Sequence, residues 1–326
     1  MKKIKIFATG GTIAGSGAAG KSAAYEAGHV DIAKLLQDLP DLGEIAQVSM
    51  EQICNKDSND LTLSDWLLLA KKLNQAALES DLDGFVITHG TDTLEETAYF
   101  LNLVFKSEKP LVLTGAMRPA TATSADGPMN LYQAIALAAH PDSVGQGVIA
   151  LFSDNIFSSR DIRKTSNFKI DAFQHNDFAC IGYMRDEIPY FYTRSFKKHT
   201  VATPFDVSAL TALPKVEIVS YYVGADPAVL DHYLYREKVD GLVIAGSGSG
   251  NYAKAWKIKL EALAAVNIPI VRASRVSGIV LPAVTMDVAT TICANTLTPQ
   301  KARILLMLAL TKTHQIDAIK AMFQEY

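Results

Sequence analysis

Residues 4–12 read IKIFATGGT, and the architecture of the chain turns on how that stretch is read. Isoleucine alternates with lysine and then gives way to Phe7-Ala8, which is the pattern of a strand. Gly10 and Gly11 follow at once. Lacking a Cβ, they let the backbone turn sharply. In an open α/β sheet, ligands collect where strands end at their carboxyl edge. The reading therefore delivers Thr12 to such an edge, with two glycine amides beside it.

Outward from that point, strand-like and helix-like runs alternate. Apolar runs at 84–88, 110–114 and 147–152 read as buried strands, and 44–52 reads as a further one. Helical periodicity covers 29–39, a segment ending at Ala77, 94–105 and 131–139. A βαβα order of this kind predicts a parallel sheet covered by helices on both faces. The pattern fades between 183 and 214, where tyrosines and scattered prolines suggest hairpins or a connector. It resumes with strands at 216–222, 241–245 and 269–273 and helices at 228–237, 251–265 and 300–313, plus a last one from Gln315. The expected fold class is two α/β domains. A larger N-terminal parallel-sheet domain spans 1–190, a linker 191–213, and a smaller C-terminal α/β domain 214–326.

With 326 residues the chain can bury a large core, and its net charge of −3 with no basic block argues against nucleic acid as a partner. Cys54, Cys180 and Cys293 are far apart and odd in number, which fits a reducing compartment. No apolar run reaches the roughly 20 residues that span a bilayer. The chain reads as cytoplasmic, and a periplasmic protein stripped of its signal would look similar.

Several strand ends carry small or polar residues: Gly10-Gly11-Thr12, His89-Gly90-Thr91-Asp92, Gly115-Ala116 and Ser153-Asp154. Any one alone is an ordinary turn. On one rim, together, they make a site. A threonine hydroxyl needs a base to become a nucleophile. Tyr25 is a candidate partner for Thr12. Lys164, in the run SSRDIRK at 158–164, is one for Thr91. The plain alternatives are a turn threonine at Thr12, a helix N-cap at Thr91 or Asp92, and a solvated surface lysine at Lys164. Residues 14–28, rich in alanine and glycine, read as a mobile loop that closes over the site. Residues 15–20 spell GxGxxG but do not open a helix after a strand, so a dinucleotide is not expected. Metal-spaced histidine or cysteine sets are missing as well, and no cofactor is expected.

The segments ATGGTIAG at 8–15 and THGTDTLEETA at 88–98 resemble the two signature segments of bacterial-type L-asparaginases, closest to the type II subgroup. The likeness continues through TGAMRP at 114–119, SADGPMNL at 124–131 and PQKAR at 299–303, and covers nearly the whole chain. It implies hydrolysis of L-asparagine to L-aspartate and ammonia without a cofactor. It implies Thr12 as nucleophile with Tyr25 beside it, and a second catalytic set of Thr91, Lys164 and Asp92. Asp92 would hold the α-amino group and Ser58 the α-carboxylate. Asn59 stands where relatives often carry glutamine or glutamate, and amides around Gly11, Thr91 and Ala116 would surround the ligand. Asn251 matches a residue that relatives supply from a neighbouring subunit, within a homotetramer built of intimate dimers. Relatives of this subgroup often place a catalytic glutamate shortly after the Ser274-Arg275-Val276 segment. Residues 277–287 contain none, and Asp287 is the nearest carboxylate. L-Glutamine is the alternative substrate, as for a glutaminase-asparaginase. A binding protein that has lost catalysis is a lesser alternative.

Overall fold

The computed structural model describes residues 1–17, 25–26, 36, 39, 42–175 and 178–326. Most of the expected helix at 29–39, and most of the loop expected to cover the site, lie outside these residues. The chain divides into two units, Met1–Ala209 and Leu210–Tyr326. The division falls inside the stretch read as a linker. Residues 199–207 are held to the first unit: Phe205 and Val207 are buried, and Lys106 Nζ donates to Thr203 O at 2.8 Å.

The first unit is built on Lys2–Gly10 (β1), which runs between Ala46–Lys56 (β4) and Gly84–Thr88 (β5), parallel to both. Leu111–Thr114 (β6) and Val148–Phe152 (β7) continue the parallel set outward from β5. Strands β5, β6 and β7 are buried along their whole length, which is why they read as unbroken apolar runs. Helices cover both faces. Gly127–Ala139 (α3) sets Leu131, Ala134, Ile135 and Leu137 against Ile4, Ile6, Val86 and Val112. The opposite face is aromatic: Phe7 meets Phe85 at 6.2 Å between ring centres, and Phe85 meets Phe105 edge-on at 5.9 Å. Phe105 caps Leu94–Val104 (α2), and Leu63–Ala77 (α1) adds Trp66 stacked on Phe100 at 5.0 Å. Each of these side chains contributes on the order of 1.5–3 kcal/mol by leaving water. α1 begins at a reciprocal cap between Thr62 and Asp65, with Lys56 Nζ on Asp65 at 2.8 Å.

Beyond β7 the parallel set gives way to antiparallel strands. Ser153 and Asp154 both have positive φ, 48° and 65°, and make a tight turn into Asn155–Ser158 (β8), antiparallel to β7. Cys180–Arg185 (β11) and Ile188–Phe191 (β12) extend the sheet antiparallel, giving the order β12-β11-β8-β7-β6-β5-β1-β4. Two short ribbons lie apart from it. Ser16–Gly17 (β2) pairs with Tyr25–Glu26 (β3), and Ile162–Lys164 (β9) with Phe173–His175 (β10).

The second unit is a four-stranded parallel sheet of Val216–Ser220 (β13), Gly241–Gly246 (β14), Ile270–Ser274 (β15) and Thr291–Cys293 (β16). The last strand was not anticipated; three residues carry too little pattern to stand out. Val229–Tyr235 (α4) and Lys254–Ala265 (α5) bury Leu230, Trp256, Leu260 and Leu263 against Leu242, Ile244 and Ile270. Pro299–Leu310 (α6) presses Leu306 against Gly241, and Ile316–Glu325 (α7) follows. All three cysteines are free. Among the described residues no helix is long and apolar enough to cross a membrane.

Candidate active site

Four segments at the carboxyl ends of β1, β4, β5 and β6 meet closely because glycines remove the side chains that would hold them apart. Gly11, at φ 85°, lies so near Gly90 that a Cβ on Gly11 would come within 2.4 Å of Gly90 Cα. A Cβ on Gly90 would in turn meet Ser58 Cβ at 2.8 Å. The contact brings the Gly11-Thr12 turn, the Ser58–Asp60 turn and the 89–93 segment round one cavity of about 430 Å³. Thr12, Ser58, Thr91, Asp92 and Lys164 all line it. Thr12 and Thr91, 79 positions apart in the chain, thus face a common space. Gly11, Asn59 and Ala116 each stand one position from a lining residue.

Thr12 opens a short 3₁₀ turn, Thr12–Ala14, and is 6% exposed. Thr91 is 5% exposed. Lys164 reaches in from β9, a ribbon distant in sequence, and its side chain is 14% exposed. It is not a solvated surface lysine. Its Nζ donates to Thr91 Oγ1 at 2.8 Å and to Asp92 Oδ1 at 2.5 Å. Asn59 Nδ2 donates to the other Asp92 oxygen at 3.0 Å and to Asp57 Oδ1 at 2.8 Å. The Lys164 ammonium, and then the Asn59 amide, hold the Asp92 carboxyl below the usual carboxylate range; partial burial opposes them. The N-cap alternative for Thr91 and Asp92 fails. The cap position of α2 is Thr93, and its hydroxyl donates to Ser58 O at 2.8 Å instead of capping. Thr91 and Asp92 are therefore free of helix duty.

The loop after β6 is held from below. Asp126 accepts the amides of Met117 and Arg118, both at 2.9 Å, and Asn130 Nδ2 donates to Gly115 O at 3.0 Å. Ala116 is fully buried between these anchors. His89, also fully buried, shares a hydrogen bond between Nδ1 and Gly90 O at 2.7 Å. Burial pushes its imidazole down to about 4.

Other expected residues are only partly described, lie in the second unit or are engaged in turns. Tyr25 is described only through its backbone, which pairs with Gly17. Ser153 and Asp154 make the β7–β8 turn; the Ser153 amide donates to Asn130 Oδ1 and its hydroxyl to Ile170 O, and Asp154 accepts from Gln133. Asn251 lies in the second unit, paired through its backbone with Ser247. Asp287 has both oxygens committed there: Oδ1 to Arg272 Nε at 2.8 Å and Oδ2 to the Ala283 amide at 2.7 Å. The buried Arg272 also donates to Ser249 O at 2.7 Å and to Leu281 O, so Asp287 belongs to a clamp between two loops. Sequence reasoning passed over Asp57, Met117, Arg118, Asn167 and Phe168, which also line the cavity. Arg118 stood inside a quoted motif, but nothing there marked its side chain.

The family models agree with the two-unit division. Residues 3–196 match Asparaginase, N-terminal, and residues 215–323 match Glutaminase/Asparaginase C-terminal domain. The chain belongs to the asparaginase family. It is 42% identical to L-asparaginase 2 of Bacillus subtilis over 328 residues, covering all of this chain and 87% of that one. It is 41% identical to a glutaminase-asparaginase of Pseudomonas fluorescens, covering all of this chain and 91% of that one. Its structure is similar to a probable cytoplasmic L-asparaginase from Campylobacter jejuni, with a TM-score of 0.96, 45% identity and full coverage of both chains.

Proposed function

We propose that this asparaginase-family chain hydrolyses the side-chain amide of L-asparagine to L-aspartate and ammonia. The observation that carries the reading is the shared cavity of Thr12 and Thr91, with Lys164 bonded to Thr91 and Asp92 at its wall. The Thr12 hydroxyl attacks the amide carbon. Ammonia leaves with a proton, and water cleaves the resulting ester. Thr91 Oγ1 accepts from Lys164 Nζ, which leaves the threonine's own proton for the departing nitrogen; in the second half the oxygen takes a proton back from the attacking water. Tyr25 takes the Thr12 proton as the ester forms and returns it as the ester is cleaved. Backbone amides near Gly11, Thr91 and Ala116 steady the oxyanion. Ser58 takes the substrate α-carboxylate and Asp92, backed by Asn59, the α-amino group. Thr12→Ala should abolish ammonia release while the thermal unfolding profile stays that of the parent. Retained turnover would remove Thr12 from the reaction.

A second reading is a glutaminase-asparaginase of broad preference, favoured by relatives bearing that name at 40–41% identity. One methylene separates the two amides, and a pocket discriminates against it by only about 10–200-fold. Comparing kcat/KM for asparagine and glutamine separates the readings. Asn251 completes the site from a neighbouring copy in a homotetramer of intimate dimers. A monomer that is fully active in solution would count against that assembly. Three free cysteines and the likeness to a probable cytoplasmic L-asparaginase favour the cytoplasm.

A further inference from the structure

We propose that Glu95 is a positioning residue that fixes Lys164 against Thr91, a role that rests on the part given to Lys164 above. β9 belongs to a two-stranded ribbon, so only one of its edges meets another strand. The Thr165 amide donates to Ala172 O on the partner strand at 2.8 Å. Backbone groups alternate in direction along an antiparallel ladder, so the Lys164 amide points away from that partner. A half-buried amide left without an acceptor is costly. Glu95 Oε2 accepts it at 2.6 Å. Glu95 is itself only 9% exposed and stands in the first turn of α2, three residues after Asp92.

Lys164 is thereby held twice by one five-residue segment. Its main-chain nitrogen is fixed by Glu95, and its ammonium by Thr91 and Asp92. The ribbon cannot slide along the helix start without breaking the first bond. Without it, the four-carbon stem alone would have to find the 2.8 Å contact to Thr91. Misplacement of a reacting group by about 1 Å can cost on the order of a hundredfold in rate. Glu95 touches none of the cavity-lining atoms by hydrogen bond except through Lys164, so its effect should be seen in turnover rather than in substrate affinity.

Two conservative variants separate reach from charge. Glu95→Gln keeps an acceptor oxygen at the same distance and loses the charge. Glu95→Asp keeps the charge and withdraws the oxygen by one methylene. Steady-state kinetics should show kcat in Glu95→Asp reduced by about tenfold or more with KM within about twofold, and Glu95→Gln within about threefold of the parent in both. Equal loss in the two variants, or loss confined to Glu95→Gln, overturns the proposal. Lys164→Met is measured alongside. If it retains parental turnover, the role given to Lys164 falls and this one with it. If it is inactive while Glu95→Asp turns over normally, only the Glu95 proposal falls.

Discussion

At the scale of single residues, the site is defined by what its side chains are prevented from doing. His89 is sealed in the core beside Thr91, where an imidazolium would lose its hydration, and burial lowers its pKa from 6.5 to about 4. The unfolded chain therefore takes up a proton as the pH drops below 6.5, while the folded chain does not until about 4. The stabilisation is full above 6.5 and is lost as the pH falls through about 4. Its size is on the order of 3 kcal/mol. Urea titrations at pH 7.5 and pH 4 should show a larger loss of stability in the parent than in His89→Asn. Identical pH dependence in the two would contradict a sealed, neutral His89. Residue-level legibility was uneven for a physical reason. Thr12 and Thr91 follow glycines at strand ends, a local signal, so both were readable. That Lys164 meets Thr91 is a tertiary fact across 73 positions, and no spacing rule reaches that far. Glu95 sat in plain view within residues 88–98, yet the backbone amide it serves is on another ribbon.

Among elements, the loop after β6 shows how a backbone segment beside the cavity is held by side chains. Asp126 stands at the start of α3 and turns its carboxylate away from capping, toward two amides of residues 117 and 118. Charged acceptors make the stronger class of such bonds, worth about 1.5–3 kcal/mol when buried and less here, where Asp126 is partly exposed. Asp126→Ala should therefore lower stability by about 1–2 kcal/mol and reduce kcat/KM, with Asp126→Asn milder in both. An Asp126→Ala enzyme with parental kcat/KM would show that residues 115–118 keep their shape unaided. The strands of the parallel set were legible because burial on two faces writes an uninterrupted apolar run. The antiparallel continuation was not. Ser153-Asp154 looks like any strand end, and only its two positive φ values show that the chain doubles back. β9 and β10, three residues each, are too short to register any period.

For the molecule as a whole, the two units differ in how their loops are braced. The second unit relies on a buried arginine. Arg272, 1% exposed, gathers Asp287, Ser249 O and Leu281 O around one guanidinium. Removing the partner carboxylate leaves a buried cation with an unmet bond, which typically costs about 3–5 kcal/mol. Asp287 is itself partly exposed, so the lower end applies. Asp287→Ala should destabilise by about 3 kcal/mol in chemical denaturation, and Asp287→Asn by less. An Asp287→Ala protein as stable as the parent would dissolve the clamp. The carboxylate nearest the place of the missing glutamate is thus spoken for. The position of β1 carries one more consequence, this time for synthesis. β1 sits between β4 and β5, and both of its flanking ladders are built from residues made later. At common elongation rates the ribosome needs on the order of ten seconds to travel from Gly10 to Thr88. For that interval an apolar strand waits without a mate, so the nascent chain should be most dependent on chaperones until Thr88 emerges.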